Sequence, residues 1–247
     1  MKTPESGLGG DQVEGRRAVL ELLRAGRRSV RRVQISHGLD RDAVIDEIVE
    51  RAGAKVSLVA PERLASIARS DAHQGVVAAA APVRAVDIDE LLAADHAFLV
   101  ALDGVTDPRN LGAVMRSAET AGATGLVLPR HRSARLTPAV MKAAAGAAEY
   151  LPIASVAGIP AALERARRHG VWSVGLDERG TASLFDLTLA DQAIVLVLGA
   201  ESRGLARLTR DRCDVLVHIP MRGRLASLNV SAAAALASHE VARRRFT

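Results

Sequence analysis

Short, wholly apolar runs recur along the chain beyond residue 96, and this feature limits its possible folds most. The clearest runs are residues 97–102, 125–128 and 193–198; residues 215–219 are apolar except for His218. Segments with helical spacing of apolar residues lie between these runs. A strand with one face in water alternates apolar and polar residues, whereas these runs do not alternate. The pattern therefore predicts an α/β fold in which helices cover both faces of a parallel sheet.

The 247 residues suffice for two domains. Residues 1–14 are rich in glycine and carry acidic residues, so we expect a disordered leader there. Residues 15–82 predict a small N-terminal domain containing a βαβ-like unit. Residues 83–95 read as a linker, and residues 96–247 as the larger α/β domain.

Composition excludes several classes of protein. Aromatic residues make up only 2% of the chain, which argues against a protein that stacks bases on rows of aromatic side chains. The apolar runs are far shorter than the ~20 residues of a membrane span, and no secretory signal is recognisable near the N-terminus. The seven histidines show no paired spacing, so we expect no metal site, and the single cysteine cannot form an internal disulfide. A cytoplasmic protein is predicted.

Most of the basic residues are arginines, and seven of them are clustered near the N-terminus: Arg16, Arg17, Arg24, Arg27, Arg28, Arg31 and Arg32. One interpretation is a solvated helix face, with arginines favourably placed near the helix C-terminus. The other is a surface that follows phosphates, because the arginine fork suits phosphate oxygens. Both interpretations stay open at this point.

Three segments stand out because each begins at the carboxyl end of a predicted strand, where open parallel sheets place ligands. They are residues 102–117, 198–205 and 219–231. Each has a plain structural interpretation. Asn110 could hydrogen-bond in a first helical turn and Arg116 could pair with Glu119; Gly199 could be a turn residue and Ser227 a helix N-cap. The dinucleotide-binding, P-loop and nucleophile-elbow motifs are missing from the sequence. A common site for the three segments is the more economical explanation.

The motifs within these segments are Asn-Leu-Gly-x-x-x-Arg-Ser at 110–117, Gly-Ala-Glu-x-x-Gly at 199–204 and Ser-Leu-Asn-Val-Ser at 227–231. They resemble, in this order, the three motifs of the SpoU (TrmH-type) family of RNA ribose 2′-O-methyltransferases, in the SPOUT superfamily. His73-Gln74-Gly75-Val76-Val77-Ala78 resembles the end of that family's N-terminal RNA-binding domain. The resemblance runs from Gly15 to Arg245. It implies a deep trefoil knot in the C-terminal α/β domain and a homodimer formed through that domain.

The resemblance further implies methyl transfer from S-adenosylmethionine to a ribose 2′-hydroxyl, on a guanosine of 23S rRNA. The residues that match the catalytic centre of the family are Asn110, Arg116, Glu201 and Asn229. The residues expected to bind S-adenosylmethionine are Leu198, Gly199, Ile219, Met221, Ser227 and Leu228. The expected RNA contacts are Arg27, Arg28 and Arg32 of the N-terminal cluster, together with Arg132 and Ser231.

The chemistry suggests separate tasks for the catalytic candidates. Arg116 stays protonated, since the pKa of a guanidinium exceeds about 12, so we expect it to stabilise the charge that develops on the ribose oxygen. Asn110 precedes it by six residues and lies roughly 120° away around the helix, so it is expected to hold Glu201 or the motif loops in place. Glu201 either faces the sulfonium or satisfies backbone amides of its own loop.

Two other functions remain open from the sequence. One is methylation of tRNA by the same chemistry, although small tRNA-type members tend to lack a separate N-terminal domain. The other is RNA binding without catalysis, against which the intact set of catalytic candidates argues.

Overall fold

The computed structural model describes residues 7–70, 73–131, 133–200 and 203–246. The contacts divide the chain into two compact units. The first, the N-terminal unit, contains the residues up to 84 together with 135–150; the second, the C-terminal unit, contains 85–134 and 151 onwards. The sequence had placed residues 135–150 in the C-terminal domain. The domain limits predicted from the sequence, 15–82 and 96–247, stay a prediction.

The strands, in chain order, are β1 Gln12–Glu14, β2 Val30–Ser36, β3 Val56–Val59, β4 Val76–Ala80, β5 Phe98–Asp103, β6 Gly125–Pro129, β7 Ile153–Val156, β8 Trp172–Leu176, β9 Ala182–Ser183, β10 Ile194–Gly199 and β11 Val215–His218. The helices are α1 Arg16–Ala25, α2 Ala43–Ala52, α3 Pro61–Ile67, α4 Ile88–Leu92, α5 Pro108–Thr120, α6 Pro138–Ala144, α7 Ala147–Tyr150, α8 Ile159–Arg168, α9 Arg207–Arg212 and α10 Val230–Arg245.

The N-terminal unit is built on a mixed sheet of four strands in the order β1-β4-β2-β3. Strands β2 and β3 are parallel and connected through α2, which confirms the predicted βαβ unit. Strand β4 runs antiparallel to β2, and β1 antiparallel to β4. Helices α6 and α7, from residues 135–150, pack against β1 and α1 in this unit.

The predicted disordered leader is wrong for residues 12–14, which form β1 at the edge of this sheet. Glu14 is fully buried, and its carboxylate accepts hydrogen bonds from the amide of Arg69 at 2.6 Å and the hydroxyl of Ser70 at 2.5 Å. Gln12 donates to the same carboxylate at 2.7 Å. Polar residues occupy this strand because partners more than fifty positions away satisfy them, so its sequence lacks the apolar pattern of a strand.

The C-terminal unit contains a sheet of seven strands in the order β7-β6-β5-β10-β8-β11-β9. Every pairing in it is parallel, which confirms the predicted parallel α/β fold. Strands β7 and β9 lie outside the apolar runs from which the sheet was predicted, and β9 is only two residues long.

Both faces of this sheet are covered. Val195 and Val197 of β10 pack in one apolar cluster with α4 and α8. Ile194 and Leu196 point to the opposite face, because side chains alternate along a strand, and they are fully buried as well. The uninterrupted apolar sequence of β10 follows from this double burial.

The C-terminal helix α10 is anchored at its end by Arg245. The guanidinium donates to the carbonyl oxygens of Ala190 at 2.7 Å and His96 at 2.8 Å, and it lies 5.1 Å from the ring centre of Phe98. Desolvation by burial lowers the pKa of Arg245. Among the described helices, none is both long and apolar enough to cross a membrane.

Candidate active site

Four neighbouring strands of the C-terminal sheet end at one edge. The register pairs Leu102 of β5 with Leu198 of β10, and Leu176 of β8 with Val217 of β11, so their carboxyl ends are level. Parallel sheets place ligands at this edge. The loops that follow these four strands hold all three sequence motifs and therefore lie close to one another.

The loop after β10, which carries the second motif, folds back tightly on itself. The amide of Gly204 donates to the carbonyl of Ala200 at 2.8 Å, and the amide of Ala200 donates to the carbonyl of Gly204 at 3.1 Å. A Cβ atom on Gly199 would lie 2.1 Å from the carbonyl carbon of Gly204, so only glycine fits there. The catalytic candidate Glu201 lies outside the described residues.

A cavity of about 370 Å³ opens at this edge of the sheet. Its volume is in the range of small-molecule sites, about 300–1,000 Å³. Its walls include all six residues that the family resemblance assigns to the cofactor: Leu198, Gly199, Ile219, Met221, Ser227 and Leu228. The structure thus brings together residues that are up to thirty positions apart in the chain.

The loop after β8 forms another wall of the cavity, which sequence reasoning missed. Its lining residues are Asp177, Glu178 and Arg179. The signal was available, because these polar residues directly follow an apolar strand, just as the three motifs do. Arg203 and Arg210, which also line the cavity, were missed as well.

A buried ion pair braces two walls of the cavity. The Nε atom of Arg210 on α9 lies 2.8 Å from a carboxylate oxygen of Asp177, whose side chain is only 4% exposed. The same guanidinium donates to the carbonyl of Leu205 at 3.0 Å, and the other oxygen of Asp177 accepts from the amide of Arg179 at 3.0 Å. Arg210 therefore joins the β8 loop to the end of the second motif.

The wall after β11 is attached to the β8 loop by two further hydrogen bonds. The amide of Asp177 donates to the carbonyl of Val217 at 3.0 Å, and the ring Nδ1 of His218 donates to the carbonyl of Gly180 at 2.9 Å. A Cβ atom on Gly180 would lie 2.5 Å from the carbonyl carbon of Val217, so the backbones meet without a side chain between them.

The first and third motifs meet through two asparagines. Asn229 Nδ2 donates to Oδ1 of Asn110 at 3.2 Å. Oδ1 of Asn229 accepts from the amide of Ser231 at 2.8 Å and from its hydroxyl at 2.6 Å. Asn229 is thus the N-cap of α10, which begins at Val230.

Three catalytic candidates lie outside the described lining of the cavity: Asn110, Arg116 and Asn229. Arg116 is exposed on α5 and forms no ion pair within the described ranges, so its charge faces solvent. The capping network occupies the hydroxyl of Ser231, an expected RNA contact, as the donor to Asn229.

The N-terminal arginine cluster is largely engaged within the protein. Arg28 is buried: its guanidinium donates to both carboxylate oxygens of Glu149, whose side chain is 1% exposed, and to the carbonyls of Gly10 and Ala81. This placement argues against the predicted RNA contact of Arg28, because burial of the pair leaves no surface for a phosphate.

Other members of the cluster are held less completely. Arg27 donates to the carbonyl of Tyr150 at 2.8 Å and lies over its ring, but it stays exposed. Arg32 is exposed beside Arg31, because an irregular register near Val30 turns two successive side chains of β2 outward. Arg132 lies outside the described residues.

Comparison with known proteins agrees with this architecture. Residues 97–239 match the SpoU rRNA methylase family, and residues 12–86 match the RNA 2′-O ribose methyltransferase substrate-binding family. The chain is 41% identical to the 23S rRNA (guanosine-2′-O-)-methyltransferase RlmB of Bordetella pertussis, over 94% of this chain and 96% of that protein. Its identity to the protein of the same name from Pseudomonas syringae pv. tomato is 37%, over 95% and 96%.

Solved structures of SpoU methyltransferases are similar to this chain as well. The SpoU methyltransferase AviRb of Streptomyces viridochromogenes, crystallised with AdoMet, superposes with a TM-score of 0.79 at 28% identity. The match covers 95% of this chain and 90% of that one. The family match, the sequence identity and the structural similarity agree, and the chain belongs to the SpoU family of methyltransferases.

Proposed function

We propose that this protein transfers a methyl group from S-adenosylmethionine to the ribose 2′-hydroxyl of a guanosine in 23S rRNA. The observation that carries the proposal is the cavity at the ends of β8, β10 and β11, beside the contact between Asn110 and Asn229. The relatives named for this activity match the chain over nearly its whole length, including the N-terminal unit.

The lining of the cavity suits S-adenosylmethionine. The apolar side chains of Leu198, Ile219 and Leu228 would hold the adenine, and the exposed carboxylate of Glu178 suits a cationic group. Asp177 is already neutralised by Arg210, so it serves the wall rather than the ligand. When bound, S-adenosylmethionine supplies an electrophilic methyl group on a sulfonium.

The residues of the chain would position and activate the ribose. Arg116, exposed on α5, would stabilise the negative charge that develops on the 2′-oxygen, while a phosphate or water accepts the hydroxyl proton. Asn110 and Asn229 would keep the first and third motifs in register for a near-attack distance of ~3–3.5 Å. Glu201, in the loop of the second motif, is proposed to belong to the catalytic centre.

The direct test is methylation of 23S rRNA fragments and tRNA by the purified protein, followed by mapping of 2′-O-methyl groups. We expect a single methylated guanosine in 23S rRNA. Methylation of tRNA alone would favour the tRNA alternative, and RNA binding without cofactor binding would favour a non-catalytic protein. Arg116→Lys should slow single-turnover methylation; a rate near that of the wild type would show that the guanidinium fork is not needed.

Within the N-terminal unit, Arg27 and Arg32 are proposed to contact phosphates of the RNA. Each lost phosphate contact should flatten the log–log salt dependence of binding by roughly 0.7–0.9. We therefore expect Arg27→Gln/Arg32→Gln to weaken RNA binding and to reduce this slope. Arg51→Gln is the matched control, since Arg51 is a half-exposed arginine of the same unit and is paired with Glu47. An unchanged slope in the double variant would assign these arginines to solubility.

Three further features follow from the family and are proposed here: a trefoil knot in the C-terminal unit, a homodimer through that unit, and a cytoplasmic location. The exposed side chains of Leu236 on α10 (43%) and Phe246 directly after it (81%) support a partner surface there. Light scattering after gel filtration tests the dimer, and Leu236→Glu should shift the protein towards the monomer. An unchanged monomeric mass for both proteins would contradict this proposal.

A further inference from the structure

Arg203 extends from the loop of the second motif to the loop of the first. Its Nη2 atom lies 3.3 Å from the position that a Cβ on Gly104 would take. Gly104 has a φ of +81°, in the region that favours glycine, so the backbone there is open to the approaching guanidinium. The side chain thus spans from the cavity rim to the loop that leads into α5.

The charge of Arg203 is not neutralised by the described part of the protein. The residue is exposed, and no carboxylate of the described residues lies within 4 Å of its guanidinium. Arg210, which lines the same cavity, is the opposite case: its side chain is 19% exposed and paired with Asp177. Arg210 therefore has a structural task, whereas the fork of Arg203 is available to an anion.

The geometry of a ribose identifies this anion, given the proposed function on which the inference rests. The 2′-oxygen and the 3′-phosphodiester are attached to adjacent carbons of the same ring. A nucleotide whose 2′-oxygen reaches the cavity must therefore carry its 3′-phosphate close to the cavity rim. Gly104, on which the guanidinium lies, does not belong to the described lining, so the fork lies on the α5 side of the rim.

We propose that Arg203 binds the phosphodiester on the 3′ side of the target ribose and so positions the 2′-hydroxyl over the cavity. A planar fork can hold two phosphate oxygens at once, which fixes orientation as well as distance. Arg203 is then a substrate-binding residue that acts together with Arg116. Arg203 lies at the loop before α5, and Arg116 lies on α5 itself.

The test compares Arg203→Gln with Arg207→Gln. Arg207 is an arginine four positions further on; its side chain is 92% exposed and it does not line the cavity. For Arg203→Gln we expect the Kd and the KM for RNA to rise about tenfold. The salt slope should flatten by about 0.7, while the Kd for S-adenosylmethionine, measured by calorimetry, stays within about twofold. Arg207→Gln should match the wild type, and Arg203→Lys should recover part of the RNA affinity because it keeps the charge.

A modified RNA makes the assignment specific. The substrate carries an uncharged methylphosphonate directly 3′ of the methylated nucleotide. The wild type should bind this RNA about tenfold more weakly than the natural one, whereas Arg203→Gln should bind both equally.

An equal loss of affinity for the modified RNA in both proteins would overturn the inference. A weaker Kd of Arg203→Gln for S-adenosylmethionine with an unchanged Kd for RNA would overturn it as well. If the proposed function fails, the wild type itself forms no 2′-O-methyl group; if only this inference fails, wild-type methylation persists and Arg203→Gln binds RNA normally.

Discussion

The side-chain amide of Asn229 connects to Asn110 through a hydrogen bond of 3.2 Å, although the two residues are 119 positions apart. The other atom of the same amide, Oδ1, caps α10 by accepting from Ser231. One side chain thus caps the C-terminal helix and contacts the first turn of α5. The third motif is thereby connected directly to the first.

Asn229→Ala and Asn229→Ser separate these two tasks. Alanine removes both, so we expect a loss of about 1 kcal/mol in stability from the cap and a strong decrease in methylation rate. Serine can still cap the helix but cannot reach Asn110, so stability should stay near that of the wild type while the rate falls. Unfolding followed by the fluorescence of Trp172 and single-turnover methylation measure the two quantities. Asp42→Ala, which removes the cap of α2, should lower stability without changing the rate at which bound RNA is methylated. Full activity of Asn229→Ser would contradict this assignment.

Removal of Arg210 should damage the cofactor cavity. Arg210→Gln leaves the carboxylate of Asp177 buried without its cation, for which we expect a loss of about 3 kcal/mol in stability. The Kd for S-adenosylmethionine should rise, because the β8 loop loses its attachment to the second motif. The control is Arg212→Gln on the same helix, whose pair with Glu164 is half exposed and worth at most about 1 kcal/mol. Calorimetric titration and urea unfolding decide the matter; equal effects of the two variants would count against a special role of Arg210.

The buried pair of Arg28 and Glu149 should be essential for the stability of the N-terminal unit. Arg28→Gln leaves the carboxylate of Glu149, which is 1% exposed, without its cation, and we expect a loss of about 3 kcal/mol in stability. Arg32→Gln, on the exposed side of β2, should cost less than about 0.5 kcal/mol. Urea unfolding followed by circular dichroism compares them. A double variant with methionine at positions 28 and 149 should recover much of the loss, since it removes both charges; no recovery would show that the carbonyl contacts of Arg28 dominate.

Stability towards acid should depend on Glu240 in α10. Hydrogen bonds from Arg243, and then from Arg244, lower the pKa of Glu240 to about 2, from an ordinary value of 4.5. Because the pKa is lower in the folded state, this carboxylate stabilises the fold above pH 4.5, and the contribution is lost as the pH falls towards 2. Between these values, the urea midpoint of Glu240→Gln should change less with pH than that of the wild type. Parallel pH profiles would show that Glu240 does not contribute.

Local pattern was sufficient for the central strands β5, β6, β10 and β11 of the C-terminal unit and for the start of α5, but not for β7 and β9. The apolar run of β10 predicts a strand buried on both faces, and the structure places it in the middle of the parallel sheet. Asp107 and Pro108 predict the start of α5, where Asp107 accepts hydrogen bonds from two amides of the first turn. Strand β1 escaped prediction because the partners of Glu14 are Arg69 and Ser70, far along the chain.

The sequence by itself determined the buried central strands of the larger sheet and that three motifs follow strand ends, because burial and backbone preference repeat over a few neighbouring residues. Only the tertiary structure decided which charges meet. Arg28, an expected RNA contact, is instead buried against Glu149, 121 residues away, and Asp177 pairs with Arg210, 33 residues away. A charge pair has no periodicity, and its energy depends on the distance and burial of two residues that only the folded chain brings together.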